Sequence, residues 1–185
     1  MAGSDFRRCS SRRYLPPVEI RLGRPSDSEA LRAIYNREVL SAIVTFDLVA
    51  RTPSDQEQWM AAHEGVYPVV VADEEGQVLG FASLSPYRPR PAYATTVEDS
   101  VYVAEDHRKR GVGKALLSEV VRLAEVRGFH AVIARIVGGH EASIALHRSC
   151  GFQLVGIERE VGRKFGRWLD VAVMQLLLGE GRART

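Results

Sequence analysis

The stretch Arg108-Lys109-Arg110-Gly111-Val112-Gly113-Lys114 constrains this chain more than any other. It follows an apolar-alternating segment, Val97 to Val103, and opens a run with helical spacing at Val112, Leu116, Val120 and Leu123. A change of period from two to 3.6 across a basic glycine turn predicts a strand, a tight turn and a helix. The first N–H groups of a helix have no intrahelical acceptor, and the helix dipole adds partial positive charge there. Glycine at 111 and 113 leaves no Cβ to hold a ligand away from the backbone. Such a turn is an anion cradle whose natural guest is a pyrophosphate.

Spacing rules out two common cradles. A P-loop needs G-x-x-x-x-G-K-[ST]; here Ala115 stands where the magnesium-binding hydroxyl belongs, and no glycine lies five residues before Gly113. A dinucleotide fingerprint needs a third glycine that this turn lacks. On the turn alone, a plain basic helix start remains the alternative.

The remaining elements follow in quick succession. Val18, Ile20 and Leu22 alternate as a first strand. Ser26-x-x-Glu29 after Pro25 reads as a capping box opening a helix with its apolar face at Leu31, Ile34, Tyr35 and Val39. Ser54-x-x-Glu57 after Pro53 reads as a second box, opening a shorter helix through Trp59 and Met60. Tyr67–Ala72 and Val78–Leu84 flank Asp73-Glu74-Glu75-Gly76, a hairpin signal. Beyond the glycine turn and its helix come a strand at Ala131–Val137 and a short helix at Ala142–Ser149, stopped by Gly151. Two strands, around Val155 and Ile157 and then Leu169–Leu178, flank an Arg163-Lys164-Phe165-Gly166 turn. The class is α+β with a mixed sheet.

Composition narrows the possibilities. At 185 residues and 45% hydrophobic, the chain is long enough for one full core. A net charge of +2 gives no ground for a nucleic-acid partner, and no apolar run reaches the roughly 18 residues of a membrane span. Cys9 and Cys150 form neither a disulfide framework nor a metal-spaced set, so a reducing cytoplasm and no metal are expected. Residues 1–17, with Arg7, Arg8, Arg12 and Arg13 among Ser and Gly, lack an apolar periodicity and are expected to be a disordered basic extension. The domain is expected to span 18–178, with a flexible tail over 179–185.

These residues carry a resemblance. The element order, Arg108-x-x-Gly111-x-Gly113 after the central strand, and Ser143-x-x-Leu146-His147-x-x-x-Gly151-Phe152 resemble the GNAT superfamily of acetyl-CoA-dependent N-acetyltransferases. Thr45-Phe46, Arg90-x-Ala92-Tyr93, Val97-Glu98-x-Ser100-Val101-Tyr102-Val103 and Gly166-x-Trp168-x-Asp170-Val171 resemble its phosphinothricin and methionine sulfoximine acetyltransferase branch. The resemblance covers about Val18 to Leu178. It implies a mostly antiparallel central sheet flanked by helices, whose bulged central strand splays from its neighbour to open an acyl-CoA cleft.

The resemblance also assigns roles. Backbone groups near Val101, Tyr102 and Val103 would bond the pantetheine arm. Arg108, Lys109, Arg110, Gly111, Val112, Gly113 and Lys114 would hold the diphosphate, with charge-assisted contacts from Arg108 or Lys109. Ser143 would add a contact, and His140 stands where the family usually has asparagine. Acyl transfer to an amine needs a neutral nucleophile, and an ammonium with a pKa of about 10 is roughly 0.1% neutral at pH 7. Glu98 matches the proposed base of the branch. His147 matches its late-helix histidine, able to take a proton from the amine or return one to sulfur. Phe46, Arg90 and Tyr93 match branch positions around the acceptor pocket, and Arg88 is a further candidate there, a guanidinium fork for carboxylate or phosphinate oxygens. The expected activity is acetyl transfer to the α-amine of a small amino acid or analogue by a homodimer. A protein N-terminus or polyamine acceptor and a non-catalytic acyl-CoA-binding module are the alternatives.

Overall fold

The computed structural model describes residues 18–179. The predicted basic extension, 1–17, and the predicted tail beyond Gly179 lie outside the described residues. Seven strands form one sheet: β1 (Glu19–Leu22), β2 (Val69–Glu74), β3 (Gln77–Pro86), β4 (Thr96–Val103), β5 (Ala131–Val137), β6 (Gln153–Lys164) and β7 (Arg167–Leu177). Their order across the sheet is β1-β2-β3-β4-β5-β7-β6. Every neighbouring pair is antiparallel except β4 and β5. This is the expected α+β class with a mixed, mostly antiparallel sheet.

Four helices cover the two faces: α1 (Ser28–Ser41), α2 (Pro53–Ala62), α3 (Val112–Val126) and α4 (Glu141–Ser149). Val112, Leu116, Leu117 and Val120 of α3 and Ile144 of α4 pack on Val70, Ala82, Val97, Val132 and Met174. On the opposite face Leu31, Tyr35 and Val39 of α1 pack on Val69, Val71 and Phe81, with Trp59 and Met60 of α2 at their edge. Both faces are therefore apolar, and both bury their side chains under helices.

Both predicted capping boxes shift. Pro25 opens a 3-10 turn, Pro25–Asp27, and the Asp27 carboxylate accepts the Arg24 N–H at 2.7 Å. Glu29 instead pairs with Arg32. At α2 the box is Thr52 with Asp55, each bonding the other's backbone N–H. Proline lacks an N–H and suits the first helical position, so the cap is the residue before it.

The β2–β3 strands run into the predicted turn and leave only Glu75 and Gly76 as the bend, both at positive φ. Phe165 and Gly166 make the same bend between β6 and β7. β6 is far longer than Val155 and Ile157 suggested, because irregularities at Leu154/Gly156 and Glu158/Gly162 break its alternation. The β3–β4 register runs from Gly80↔Val103 to Pro86↔Val97 without a shift, so the expected bulge in β4 is absent from that ladder. The splay is nevertheless present: β4 and β5 pair only through Thr96↔Ala131, Val97↔Val132 and Glu98↔Ile133, and then part.

Candidate active site

The glycine turn builds the cradle that its sequence predicts. Gly111 caps α3 with φ of 84°, a left-handed conformation that costs little only for glycine. Lys109, at φ of 62°, shares this conformation. The first amide of the turn with an acceptor is that of Ala115, bonded to the Gly111 carbonyl. The N–H groups from Lys109 through Lys114 have no acceptor among the described residues. Successive free amides at a helix start form a concave donor array suited to phosphate. Gly113 serves packing more than ligand approach: a Cβ there would lie 3.3 Å from Leu146 of α4.

The side-chain cations of the turn divide into two groups. Arg108 pairs with Glu38 of α1 and donates Nε–H to the Val103 carbonyl at 3.1 Å. Arg110 pairs with Glu74 at 2.6 Å and donates to His107 Nδ1. Both guanidiniums are thus engaged within the protein, so of the two expected charge-assisted clamps, Arg108 or Lys109, it is Arg108 that already holds a carboxylate. Lys109 and Lys114 are exposed and have no carboxylate partner among the described residues.

The phase of β4 decides which groups face the cleft. The Ala104 N–H bonds the Leu79 carbonyl at 2.9 Å. In an antiparallel ladder alternate residues exchange both bonds, so Tyr102, Ser100 and Glu98 spend their backbone groups on β3. Asp99, Val101 and Val103 turn theirs toward β5, which has already diverged. Val101 and Val103 therefore stand where the resemblance expects them, with the Val103 carbonyl already taken by Arg108. Tyr102 does not: its backbone belongs to the β3 ladder, and its ring faces α1, 5.1 Å from that of Tyr35.

The same alternation separates the two candidate proton-transfer groups. Glu98 shares the α1/α2 face with Ser100 and Tyr102, while Asp99 points to the α3/α4 face. Glu98 is half-buried and has neither a hydrogen bond nor an ion pair among the described residues. Burial raises its pKa, the Arg135 charge opposes this, and Asp99 and Glu158 add to it. Arg135 itself pairs with Glu158 at 2.7 Å.

His147 is only 4% exposed and has both ring nitrogens engaged. Nδ1–H donates to the Ser143 carbonyl at 2.7 Å and Nε2–H to Asp99 Oδ2 at 3.0 Å. Burial lowers its pKa, but the Asp99 bond and charge, helped by the Ser143 carbonyl, outweigh this and raise it overall. His147 and Asp99 form a buried ion pair, with Asp99 Oδ1 left without a donor among the described residues. The Ser143 hydroxyl lies 3.4 Å from His147 Nδ1. His140 precedes α4 at the mouth of the cleft; burial and the Arg108 charge hold its pKa below the ordinary value.

On the Glu98 face, a cavity of about 140 Å³ is lined by Tyr35, Arg51, Trp59, Phe81, Ser83, Ser85, Ser100 and Tyr102. Ser85 stands in register with Glu98, and its hydroxyl bonds His63 Nε2 at 3.1 Å. Phe46 lies on the loop after α1, its ring edge on Gly162 of β6, where a Cβ would come within 2.4 Å. Lys164, 2% exposed, ties this loop to β6 through the Thr45 carbonyl at 2.9 Å.

The predicted acceptor residues of the β3–β4 connection form a separate rim. The Arg88 guanidinium lies 4.9 Å from the Tyr87 ring and 5.7 Å from the Tyr93 ring, and Arg90 is exposed. None of the three lines the cavity. Arg51, Ser83, Ser85 and His63 escaped the sequence reading. Ser83 and Ser85 could have been found as hydroxyls at every second position of an otherwise apolar strand.

The Acetyltransferase (GNAT) domain family matches residues 20–173, across the cradle, the splay and the cavity. The chain belongs to this family. Among its relatives, the phosphinothricin N-acetyltransferase of Streptomyces coelicolor is 43% identical over 84% of this chain and 93% of its own length. The L-methionine sulfoximine/L-methionine sulfone acetyltransferase of Pseudomonas aeruginosa is 40% identical over 85% and 93%. The crystal structure of a GNAT superfamily phosphinothricin acetyltransferase from Sinorhizobium meliloti, in complex with acetyl-CoA, superposes with a TM-score of 0.86. It is 42% identical over 91% of this chain and 92% of its own.

As a GNAT enzyme the protein is an acetyl-CoA-dependent N-acetyltransferase, and its residues fit that co-substrate. A diphosphate needs several donors and positive charge; six consecutive free amides and the lysines at 109 and 114 supply them. A pantetheine arm needs backbone partners along an open strand edge, which Asp99, Val101 and Val103 present. No group of three or more potential metal ligands occurs among the described residues.

Proposed function

We propose that the protein transfers acetyl from acetyl-CoA directly to the α-amine of a small amino acid or analogue of the phosphinothricin or methionine sulfoximine type. The observation that carries this reading is the polar cavity of about 140 Å³ on the Glu98 face of β4, beside the point where β4 and β5 part. A space of that size takes one end of a small amino acid, whereas a protein N-terminus calls for an open groove. The 43% and 40% identities to enzymes named for phosphinothricin and for methionine sulfoximine and sulfone support the same acceptor class.

Bound acetyl-CoA supplies the activated acyl carbon. The amides from Lys109 to Lys114, with the Lys109 and Lys114 charges, hold the diphosphate end. Backbone groups of Val101 and Val103 hold the arm in the splay, and Ser143 and His140 border its path beside α4. Glu98 takes the proton from the acceptor ammonium, directly or through Ser85, leaving a neutral nitrogen. Its raised pKa improves the match to an amine, because a carboxylate of ordinary pKa is a weak base for this task. His147 acts by position: with both nitrogens held by acceptors, it neutralises Asp99 and fixes α4 against β4. Phe46, seated on Gly162 of β6 outside the cavity lining, borders the acceptor site from the loop after α1, and Arg88, Arg90 and Tyr93 form its outer rim.

A further part of this reading is a cytoplasmic homodimer. Val155, Val161, Phe165 and Trp168 of the β6–β7 hairpin are each more than half exposed, along the free edge of the sheet, and an apolar edge strand favours a partner. Cys150 is a free thiol, in keeping with a reducing compartment.

The test is thiol release from acetyl-CoA with a panel of amines. Methionine sulfone, methionine sulfoximine and phosphinothricin should be acetylated with kcat/KM at least tenfold above that of spermidine or an alanine-ended peptide. A panel in which the peptide or the polyamine leads would overturn the assignment.

A further inference from the structure

Arg51 is a half-buried guanidinium that lines the acceptor cavity and has no carboxylate within ion-pair distance among the described residues. Among the described residues its only side-chain hydrogen bond is from Nη1 to Gln56 Oε1 at 3.2 Å, leaving Nε and Nη2 without acceptors there. Asp47, the nearby acid, instead accepts the Tyr35 hydroxyl at 2.6 Å. Desolvating a positive charge without a partner is unfavourable. Two aromatic faces partly offset that cost: the guanidinium carbon lies 3.8 Å from the Tyr35 ring centroid and 4.8 Å from that of Trp59.

The position is also built rigidly. The Arg51 N–H bonds Asn36 Oδ1 at 2.8 Å, and its carbonyl accepts from Asn36 Nδ2 at 2.8 Å and from Arg32 at 3.1 Å. These bonds fasten an otherwise irregular loop to α1. Around the guanidinium, donors exceed acceptors. Gln56 is 1% exposed and its Nε2 has no partner among the described residues, while Ser83, Ser85 and Ser100 bring hydroxyls to the same cavity. A guanidinium fork with free donors, ringed by hydroxyls and held in place beforehand, is a receptor for an oxyanion.

We propose that Arg51 is the oxyanion clamp of the acceptor pocket, gripping either the α-carboxylate or the side-chain oxygens of a sulfone or phosphinate amino acid. This rests on the amino-acid reading above and goes beyond it, since the rim arginines at 88 and 90 lie outside the cavity. Arg51 selects the acceptor by its oxygens, while Glu98 acts on its nitrogen from the same strand face.

The experiment is steady-state kinetics of the wild type, Arg51→Gln and Arg51→Lys with acetyl-CoA and three acceptors: L-methionine sulfone, its carboxamide and L-methionine. The Gln variant should raise KM for methionine sulfone roughly 10- to 100-fold, the size of a lost charged hydrogen bond. KM for acetyl-CoA should stay within twofold, and Lys should recover part of the loss. The penalty should vanish with the carboxamide if Arg51 holds the carboxylate, or with methionine if it holds the sulfone. An unchanged KM for methionine sulfone, or an equal penalty with all three acceptors, would overturn the clamp. Should Arg51→Gln not fold, the wild type alone decides, because equal KM for all three acceptors leaves no oxyanion to be clamped. A wild type active only on peptides or polyamines would refute the amino-acid reading itself, a different outcome from an active enzyme indifferent to Arg51.

Discussion

Glu98 and Asp99 are neighbours in sequence with opposite duties, because a strand turns successive side chains to opposite faces. Glu98 has no partner among the described residues beside the proposed acceptor cavity, and burial raises its pKa. In the proposed mechanism the carboxylate form of Glu98 is the base, so kcat/KM should climb as pH rises through a value above the ordinary carboxylate range. Replacement by Gln should lower kcat roughly 100- to 10,000-fold and remove that limb; a pH–rate profile with the limb intact would take Glu98 out of the chemistry. His147 lends itself to a stability measurement. Its folded pKa is raised, so the stabilisation from its pairing is full below the unfolded value of about 6.5 and is lost as pH rises through the folded value. Urea unfolding should therefore show a larger deficit for His147→Gln at pH 6 than at pH 9, about 3 kcal/mol at the lower pH. A deficit independent of pH would mean that the pair is not charged. The branch motif Val97-Glu98-x-Ser100-Val101-Tyr102-Val103 made Glu98 legible in the sequence. Asp99 as the partner of His147 was not, since the two lie 48 residues apart and meet only through the packing of α4 on β4. Arg51 sits in an irregular loop, where no periodicity marks a functional side chain.

At the scale of elements, the strand–turn–helix unit around Gly111 was readable because one short segment determines it. Both helix starts were found, yet their caps shifted: α2 is capped by Thr52, two residues before the predicted Ser54, and α1 follows a 3-10 turn that Pro25 opens after Arg24, since proline at the first helical position outranks a serine–glutamate spacing. The splay depends on where β5 stops following β4, a tertiary fact with no local signature. The β6 strand hid behind its own irregularities, and one of its glycines seats Phe46, a proposed acceptor-site residue. A methyl group at Gly162 would meet the Phe46 ring and push it from its seat. Gly162→Ala should raise the acceptor KM several-fold while leaving acetyl-CoA affinity and the melting temperature nearly unchanged. A parallel loss of acetyl-CoA affinity would show that Phe46 does not serve the acceptor site alone.

Across the whole molecule the sheet acts as a partition opened along one seam. The α3/α4 face carries the donor array and the His147–Asp99 pair, the α1/α2 face carries Glu98 and the proposed acceptor cavity, and the seam between β4 and β5 joins them. The exposed apolar hairpin at the free edge should seat a second copy. Light scattering should give twice the chain mass for the wild type and the single mass for Trp168→Glu, whereas a monomeric wild type would refute the dimer. The most direct measurement on the central claim is calorimetric titration of acetyl-CoA into the wild type and Gly111→Glu, with S-acetylpantetheine, which has no diphosphate, as the companion substrate. Acetyl-CoA affinity should fall at least a hundredfold in the variant, with its fold retained by circular dichroism and its turnover of S-acetylpantetheine preserved. Equal acetyl-CoA affinity in the two proteins would contradict the claim that these amides hold the diphosphate.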